Sequence, residues 1–75
     1  MDYLEAALTV LREEGTGLHW TVVQDLALKR GYLDPFTQPD IRRNLLSALA
    51  RAAREGLVVK EGTGVYSLRP LPEPG

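Results

Sequence analysis

The 75-residue sequence predicts an α+β fold in which three helices precede a C-terminal two-stranded β-hairpin. The stretch Thr37–Gly56 has the apolar period of a helix, with its basic residues on the opposite side. Two short β-rich runs follow, around Gly62 and Gly64, as in a hairpin. Two further helical patterns precede this stretch. The order of elements is that of a winged helix-turn-helix domain, and we expect the hairpin to be its wing.

The first helix is predicted over Asp2–Glu14. Asp2 is its expected N-cap, and Gly15-Thr16-Gly17 ends it because two close glycines favour a turn. Its expected core face consists of Leu4, Ala7, Leu8 and Leu11.

The second helix is predicted from about Val22 to Arg30, after a short extended segment at Leu18-His19-Trp20. Thr21 and Gln24 have the spacing of a capping box, and Gly31 suits the left-handed position after the helix. Its expected core residues are Val23, Leu26 and Ala27. In the following connection, Asp34-Pro35 signals a turn, and three bulky residues are expected to pack on the core: Tyr32, Leu33 and Phe36.

The third helix is predicted to start at Thr37, which forms a possible capping box with Asp40, and has Pro39 in its first turn. Gly56 ends it. Its core stripe has the spacing i, i+4, i+7, i+8, i+11 and consists of Ile41, Leu45, Ala48, Leu49 and Ala52.

In the hairpin, alternation suggests a core side and a solvent side. The core candidates are Val58, Val65 and Leu68, while Lys60 and Glu61 are expected at the solvent side or tip. The aromatic residues Trp20 and Phe36 are predicted core anchors, and the Tyr66 ring is expected to face inward. The domain is therefore expected over residues 1–69, followed by a proline-rich tail at 70–75.

Composition excludes several functional classes. A chain of this size cannot bury a deep catalytic cavity, and the lack of cysteine excludes disulfides and thiolate metal sites. No apolar run is long enough for a membrane span, and Asp2 and Tyr3 stand where a signal sequence would be basic. We therefore expect a cytoplasmic domain with no membrane partner.

No constellation of acid, base and nucleophile is present, so we predict no enzymatic activity, cofactor, metal or small-molecule substrate. His19 is the only histidine, and at a helix start it is expected to bond the backbone. Ser47 and Ser67 have no partner at catalytic spacing. Gly62-Thr63-Gly64 lacks the lysine and helix of a phosphate-binding loop and is better explained as a hairpin turn.

The predicted binding surface is the polar side of the third helix. The net charge of −1 is low for a nucleic-acid-binding domain, yet the helix from Asp40 to Glu55 carries four arginines against two acids. Residues expected to contact phosphates or bases are Arg43, Ser47, Arg51 and Arg54, with Arg42 and Asn44 near the helix start and Lys60 and Thr63 from the wing. The alternative is a solvated face, partly neutralised by pairs such as Arg51 with Glu55.

Several segments give the sequence a family resemblance. They are Ala6-Ala7-Leu8 to Leu11, Leu18-His19-Trp20-Thr21-Val22-Val23, Ala27-Leu28-Lys29-Arg30-Gly31, Leu45 to Leu49, and Gly64-Val65-Tyr66-Ser67-Leu68. With these, residues 3 to 68 resemble the HARE-HTH winged-helix modules, a group that includes the N-terminal domain of the bacterial RNA polymerase delta subunit. The chain departs from them where Phe36-Thr37-Gln38-Pro39 replaces a Gly-x-Thr-Pro-like stretch.

The resemblance implies a role near DNA or the transcription machinery. Some members are DNA-associated and others bind proteins. We therefore expect a transcription-associated module whose partner is duplex DNA, bound weakly to moderately. The alternative is a protein-interaction winged helix, bound to a protein of a transcription complex, for which the acidic overall balance is the sequence-level sign.

Overall fold

A computed structural model describes residues 1–70 of the chain. Its elements are α1 (Tyr3–Glu14), β1 (Leu18–His19), α2 (Trp20–Lys29), α3 (Ile41–Arg54), β2 (Val58–Gly62) and β3 (Val65–Leu68). The predicted winged-helix fold class is confirmed. Apart from Pro70, the predicted tail at 70–75 lies outside the described residues.

The sheet has one strand more than the predicted hairpin. Its order is β1-β3-β2, and both pairings are antiparallel. The extended segment predicted before α2 supplies the third strand, because Leu18 pairs with Tyr66 and His19 with Val65. The wing, which we define as β2, β3 and the turn between them, is thereby joined to the start of α2.

The caps of α1 and α2 differ in how well the sequence predicted them. Asp2 caps α1 as predicted, since its carboxylate accepts a hydrogen bond from the Glu5 amide at 2.7 Å. The capping box predicted at Thr21 is wrong, because α2 begins at Trp20 with His19 as its N-cap. His19 Nδ1 accepts from the Thr21 amide at 3.3 Å and lies 2.8 Å from the Thr21 hydroxyl. His19 therefore has the structural, backbone-bonding role that the sequence predicted.

The predicted start of α3 at Thr37 is also wrong, because the helix begins only at Ile41. The Asp34 carbonyl accepts from the Thr37 and Gln38 amides at 3.2 and 2.8 Å, which closes a turn over residues 34–38. Gln38 precedes Pro39, and a residue before proline is disfavoured in the helical conformation. The turn and the proline together delay the helix.

Phe36 does not pack on the core as predicted, because its relative exposure is 96%. The Asp34 carboxylate accepts from the Phe36 amide at 2.9 Å, and the Gln38 side-chain oxygen accepts from the Asp34 amide at 2.9 Å. These bonds define a tight loop with Phe36 on its outside. Leu33 is buried and Tyr32 half-buried, so the other two predicted contacts are confirmed.

One hydrophobic core joins the helices to the sheet. Its buried residues are Ala6, Ala7, Val10, Leu11, Val23, Ala27, Leu33, Leu45, Leu49, Ala52, Val58 and Tyr66. Most of the predicted core residues are among these or pack against them. The α1 face is rotated from the predicted one, so that Ala6 and Val10 are buried while Leu4 and Leu8 lie at the rim.

The sheet face shows a similar correction. Tyr66 rather than Val65 is buried, and Leu68 packs beside it. Side chains alternate along a strand, so Val65 and Leu68 cannot face the same side of β3. Trp20 is half-buried and packs against the core, which fits its predicted role as an anchor.

Charged residues join the ends of α1 and α2. Arg30 pairs with Glu13 at 3.0 Å and with Glu14 at 2.7 Å, and the Tyr32 hydroxyl donates to Glu13 at 2.5 Å. The hydrogen bond to Glu14 raises the pKa of Arg30, and the one to Glu13 raises the pKa of Tyr32. Two acids of α1 are thus engaged within the fold.

Candidate nucleic-acid interface

The side of α3 that faces away from the core carries an exposed basic stripe. Leu45, Leu49 and Ala52 are buried, so the opposite side of the helix faces solvent. Arg43, Ser47 and Arg54 are exposed and lie within about 40° of one another when residues are spaced 100° apart. We call these three residues the outer stripe. Their predicted common placement on the polar side of α3 agrees with the structure.

Arg42 lies to the side of the outer stripe, against an aromatic ring. Its guanidinium carbon is 5.5 Å from the centroid of Trp20, within the range of a cation–π contact. Trp20 in turn donates its backbone amide to the Gly64 carbonyl at 2.8 Å. Arg42 on α3 therefore rests on the first residue of α2, next to the turn of the wing, a placement that the sequence did not predict.

The turn of the wing packs closely on the start of α2. Gly64 has a φ of +73°, and a Cβ atom there would lie 2.7 Å from His19 Nε2 and 3.0 Å from Trp20 Cδ1. A larger residue at this position would push the wing away from the ring that carries Arg42. The sequence predicted Gly64 as a turn residue, and the structure adds a steric requirement. The position of the wing relative to α3 depends on this contact.

Asn44 and Arg51 lie on the side of α3 that faces α1. The Asn44 amide donates to the Pro39 carbonyl at 3.0 Å, and the Tyr3 hydroxyl donates to the same oxygen at 2.7 Å. Arg51 forms the predicted pair with Glu55 at 3.0 Å, and this hydrogen bond raises the pKa of Arg51. Both side chains already have partners within the fold.

The wing carries the remaining predicted contacts. Lys60 and Thr63 are exposed and line a shallow depression with Glu61 and Gly62 at the tip. The Glu61 carboxylate accepts from the Ser67 hydroxyl at 2.7 Å, so it is directed back along the sheet. The register shifts between Lys60 and Gly62, as in a β-bulge. Lys60 and Thr63 are the polar groups that the wing offers beside α3.

A shallow groove runs along the first turns of α3. It is lined by Asp40, Arg42, Arg43, Leu46 and Ser47, and we call it the α3 groove. The structure thus brings the predicted contacts Arg42, Arg43 and Ser47 together in one groove. Asp40, which the sequence had assigned to helix capping, lines the same groove. Within residues 1–70, no group of three or more His, Asp or Glu side chains could hold a metal ion.

One comparison with known proteins gives a family match. The model of the HARE-HTH family, whose description includes ASXL and the restriction endonuclease HTH domain, matches residues 1–71. The predicted family resemblance is thereby confirmed. No curated protein and no solved structure matches the chain. None of the helices within residues 1–70 has the length and apolar character needed to cross a membrane.

Proposed function

The chain belongs to the HARE-HTH family of helix-turn-helix DNA-binding domains, and from this premise we propose that it is a non-catalytic module that binds duplex DNA. In this proposal α3 lies in the major groove and the wing lies on the adjacent backbone. The observation that carries it is the exposed outer stripe of Arg43, Ser47 and Arg54. These side chains offer donors along one line of a helix, opposite its buried face.

The residues differ in their proposed roles. Within the outer stripe, Arg43 and Ser47 lie nearer the helix start and read base edges, whereas Arg54, near the end of α3, contacts the backbone. Arg42 donates to phosphate while its plane rests on the Trp20 ring. Asn44 and Arg51, which were also predicted to contact DNA, have a smaller role in this proposal.

Asn44 and Arg51 already have partners within the fold. The Asn44 side chain holds the start of α3 by its hydrogen bond to the Pro39 carbonyl, and Arg51 forms an ion pair with Glu55. From the wing, Lys60 and Thr63 contact the backbone next to the groove that α3 occupies, with a cation and a hydroxyl.

The proposed affinity is modest and salt-dependent. Among residues 1–70, ion pairs involve Arg30 and Arg51. Of the proposed contacts, Arg42, Arg54 and Lys60 are therefore cations unpaired within this part of the chain that can meet phosphates, while Arg43 faces the bases. Three phosphate contacts correspond to a slope of log affinity against log salt of about −3. The net charge of −1 adds no long-range attraction.

We also propose that the domain acts in transcription regulation and works in the cytoplasm. The first part follows from the resemblance to modules that include the RNA polymerase delta subunit. The second is supported by the lack of cysteine, which is compatible with a reducing compartment.

A titration of fluorescent duplex DNA at low salt tests the proposal. Micromolar protein should raise the anisotropy of the duplex, and the effect should be lost as salt increases. If no binding is seen with micromolar protein at low salt, the DNA-binding proposal is wrong.

A protein-interaction role is the second candidate function, and the loop between α2 and α3 favours it. Phe36 is 96% exposed, and hydrogen bonds of Asp34 and Gln38 hold the loop that carries it. An aromatic side chain presented on an ordered loop has the character of an interface hot spot. Asp34, next to it in the loop, would favour a partner with basic groups around an apolar pocket.

The two candidates respond differently to a change at Phe36. If the loop binds a protein of a transcription complex, Phe36→Ser should abolish capture of that protein and leave DNA affinity unchanged. Val59→Thr is the control, because Val59 is 43% exposed on the sheet and lies outside the loop. Equal capture by both variants would argue against the loop as an interface.

A further inference from the structure

The N-cap residue that precedes α3 is acidic, but its carboxylate does not cap the helix. Asp40 has φ 50° and ψ 46°, and among residues 1–70 it is the only non-glycine residue with a positive φ. An N-cap side chain reaches the first amides of a helix from an extended backbone, as Asp2 does at φ −71° and ψ 170°. In the left-handed conformation Asp40 makes no such bond. Its carboxylate remains available to a ligand.

The backbone at Asp40 is held by its neighbours instead. The Pro39 carbonyl accepts from the Tyr3 hydroxyl and from the Asn44 side-chain amide, and the Asp40 carbonyl accepts from the Asn44 backbone amide at 2.9 Å. Asparagine and aspartate tolerate the left-handed region better than other side chains. The start of α3 is therefore stabilised without the Asp40 carboxylate.

The α3 groove places this carboxylate beside two cations. Asp40 lines it together with Arg42 and Arg43, yet the ion pairs formed among residues 1–70 involve Arg30 and Arg51 only. The groove thus offers donors from arginine and an acceptor that cannot donate. A ligand that suits it presents acceptors next to a donor.

A G·C base pair presents that pattern in the major groove. Guanine offers the N7 and O6 acceptors to arginine, and cytosine offers the N4 amino group to an acidic side chain. In adenine the amino group lies beside the N7 acceptor, which repels a carboxylate and suits an amide side chain better. A carboxylate at this position also repels phosphates and so disfavours non-specific binding.

We propose that Asp40 is a specificity-determining residue that accepts a hydrogen bond from a cytosine N4 amino group while Arg43 donates to a guanine in the same site. This inference rests on the proposed DNA-binding function and names the base pair that the α3 groove reads. Asp40 acts through its carboxylate and contributes little to the stability of the fold.

The test compares the wild-type domain with Asp40→Asn, which keeps the size and backbone preference of the side chain. A preferred duplex is first selected by the wild type from a randomised pool at low salt. The cytosine at each selected G·C pair is then replaced by N4-methylcytosine, which keeps the N4 hydrogen that pairs with guanine O6 and replaces the major-groove hydrogen by a methyl group. At one position we expect the wild type to lose affinity about tenfold. Asp40→Asn should lose less, because its amide oxygen accepts a neutral hydrogen bond that is weaker than the bond to a carboxylate.

Two further variants keep the test decisive. Asp40→Gly accepts a positive φ and has no side-chain acceptor, so it should lose less than about twofold on the same substitution, with folding checked by circular dichroism. Asp25→Asn removes the same charge from α2, outside the groove, and should discriminate as the wild type does.

Several outcomes would overturn the inference. If Asp40→Gly raises affinity for every duplex by one factor and discriminates as before, the carboxylate only repels phosphates. If the wild type selects no cytosine although it binds duplex DNA, the inference alone fails. If the wild type binds no duplex at low salt, the proposed function fails as well, so the two failures are distinguishable.

Discussion

Replacing Arg43 and Arg54 separately by alanine should separate base reading from electrostatic attraction. Both side chains are exposed on the outer stripe. They are eleven residues apart, so a rise of 1.5 Å per residue places them about 16 Å apart along α3. In the proposed binding mode we expect Arg43, near the helix start, to reach a base edge and Arg54 to reach only the backbone.

The two variants should therefore have different signatures. Arg43→Ala should cost about 1 to 3 kcal/mol on a preferred duplex and reduce the preference between sequences. Arg54→Ala should weaken all sequences alike and lower the salt slope by about one. With the wild-type slope of about −3, raising salt fourfold should reduce affinity by roughly sixtyfold.

Fluorescence anisotropy at several salt concentrations, with a preferred and an unrelated duplex, measures both effects. Arg12→Ala is the matched control, because Arg12 is exposed on α1 and lies outside the outer stripe. All three variants should keep their thermal stability, since the side chains are exposed. If Arg43→Ala and Arg54→Ala leave DNA affinity intact while abolishing capture of a protein partner, the same face is a protein interface.

Three further predictions concern stability. Leu45→Ala should lower the free energy of unfolding, measured in urea, by about 2 to 5 kcal/mol, because Leu45 is fully buried. Leu45→Met, which keeps the side-chain volume, should lower it by less than about 1.5 kcal/mol, and equal small losses in both variants would contradict the core role of Leu45. Phe36→Ser should change that free energy by less than about 0.5 kcal/mol, since the ring is 96% exposed, and a larger loss would mean that the ring packs in solution. The hydrogen bond to Glu13 raises the pKa of Tyr32 above its unfolded value, so its stabilisation should be complete below pH of about 10 and lost as the pH rises through the folded value. Tyr32→Phe should therefore remove part of the alkaline loss of stability in urea titrations at several pH values, and an unchanged pH profile would refute this.

The fold could be predicted because its main determinants are local. The spacing of Leu45, Leu49 and Ala52 requires a buried helical stripe, and glycines at the helix ends take the predicted left-handed conformation at Gly31 and Gly56. The start of α3 could not be predicted in this way. Thr37 has good capping chemistry, but its amide is bonded to the Asp34 carbonyl in the preceding turn. Two local signals competed, and the turn was favoured by the proline that follows.

In the candidate site, the placements that depend on spacing within α3 could be predicted, and the contacts between elements could not. Periodicity placed Arg43, Ser47 and Arg54 together on α3, because the buried face determines the exposed one. It could not predict that Arg42 rests on Trp20, since that contact joins two elements whose packing is not encoded in either helix alone. Local spacing correctly predicted the pair of Arg51 with Glu55.

Ion pairs within the fold help a chain of net charge −1 to present exposed arginines on α3. Glu13 and Glu14 share Arg30, and Glu55 pairs with Arg51, so three acids are engaged by two arginines within the fold. Asp40 lies in the α3 groove with no such pair. Attraction to DNA depends on the local charge near the phosphates, within about one Debye length, and this distance is about 10 Å at 0.1 M salt. Asp40 is therefore the acid whose removal should change DNA recognition most, because it lines the same groove as the arginines and has no cation of its own within the fold.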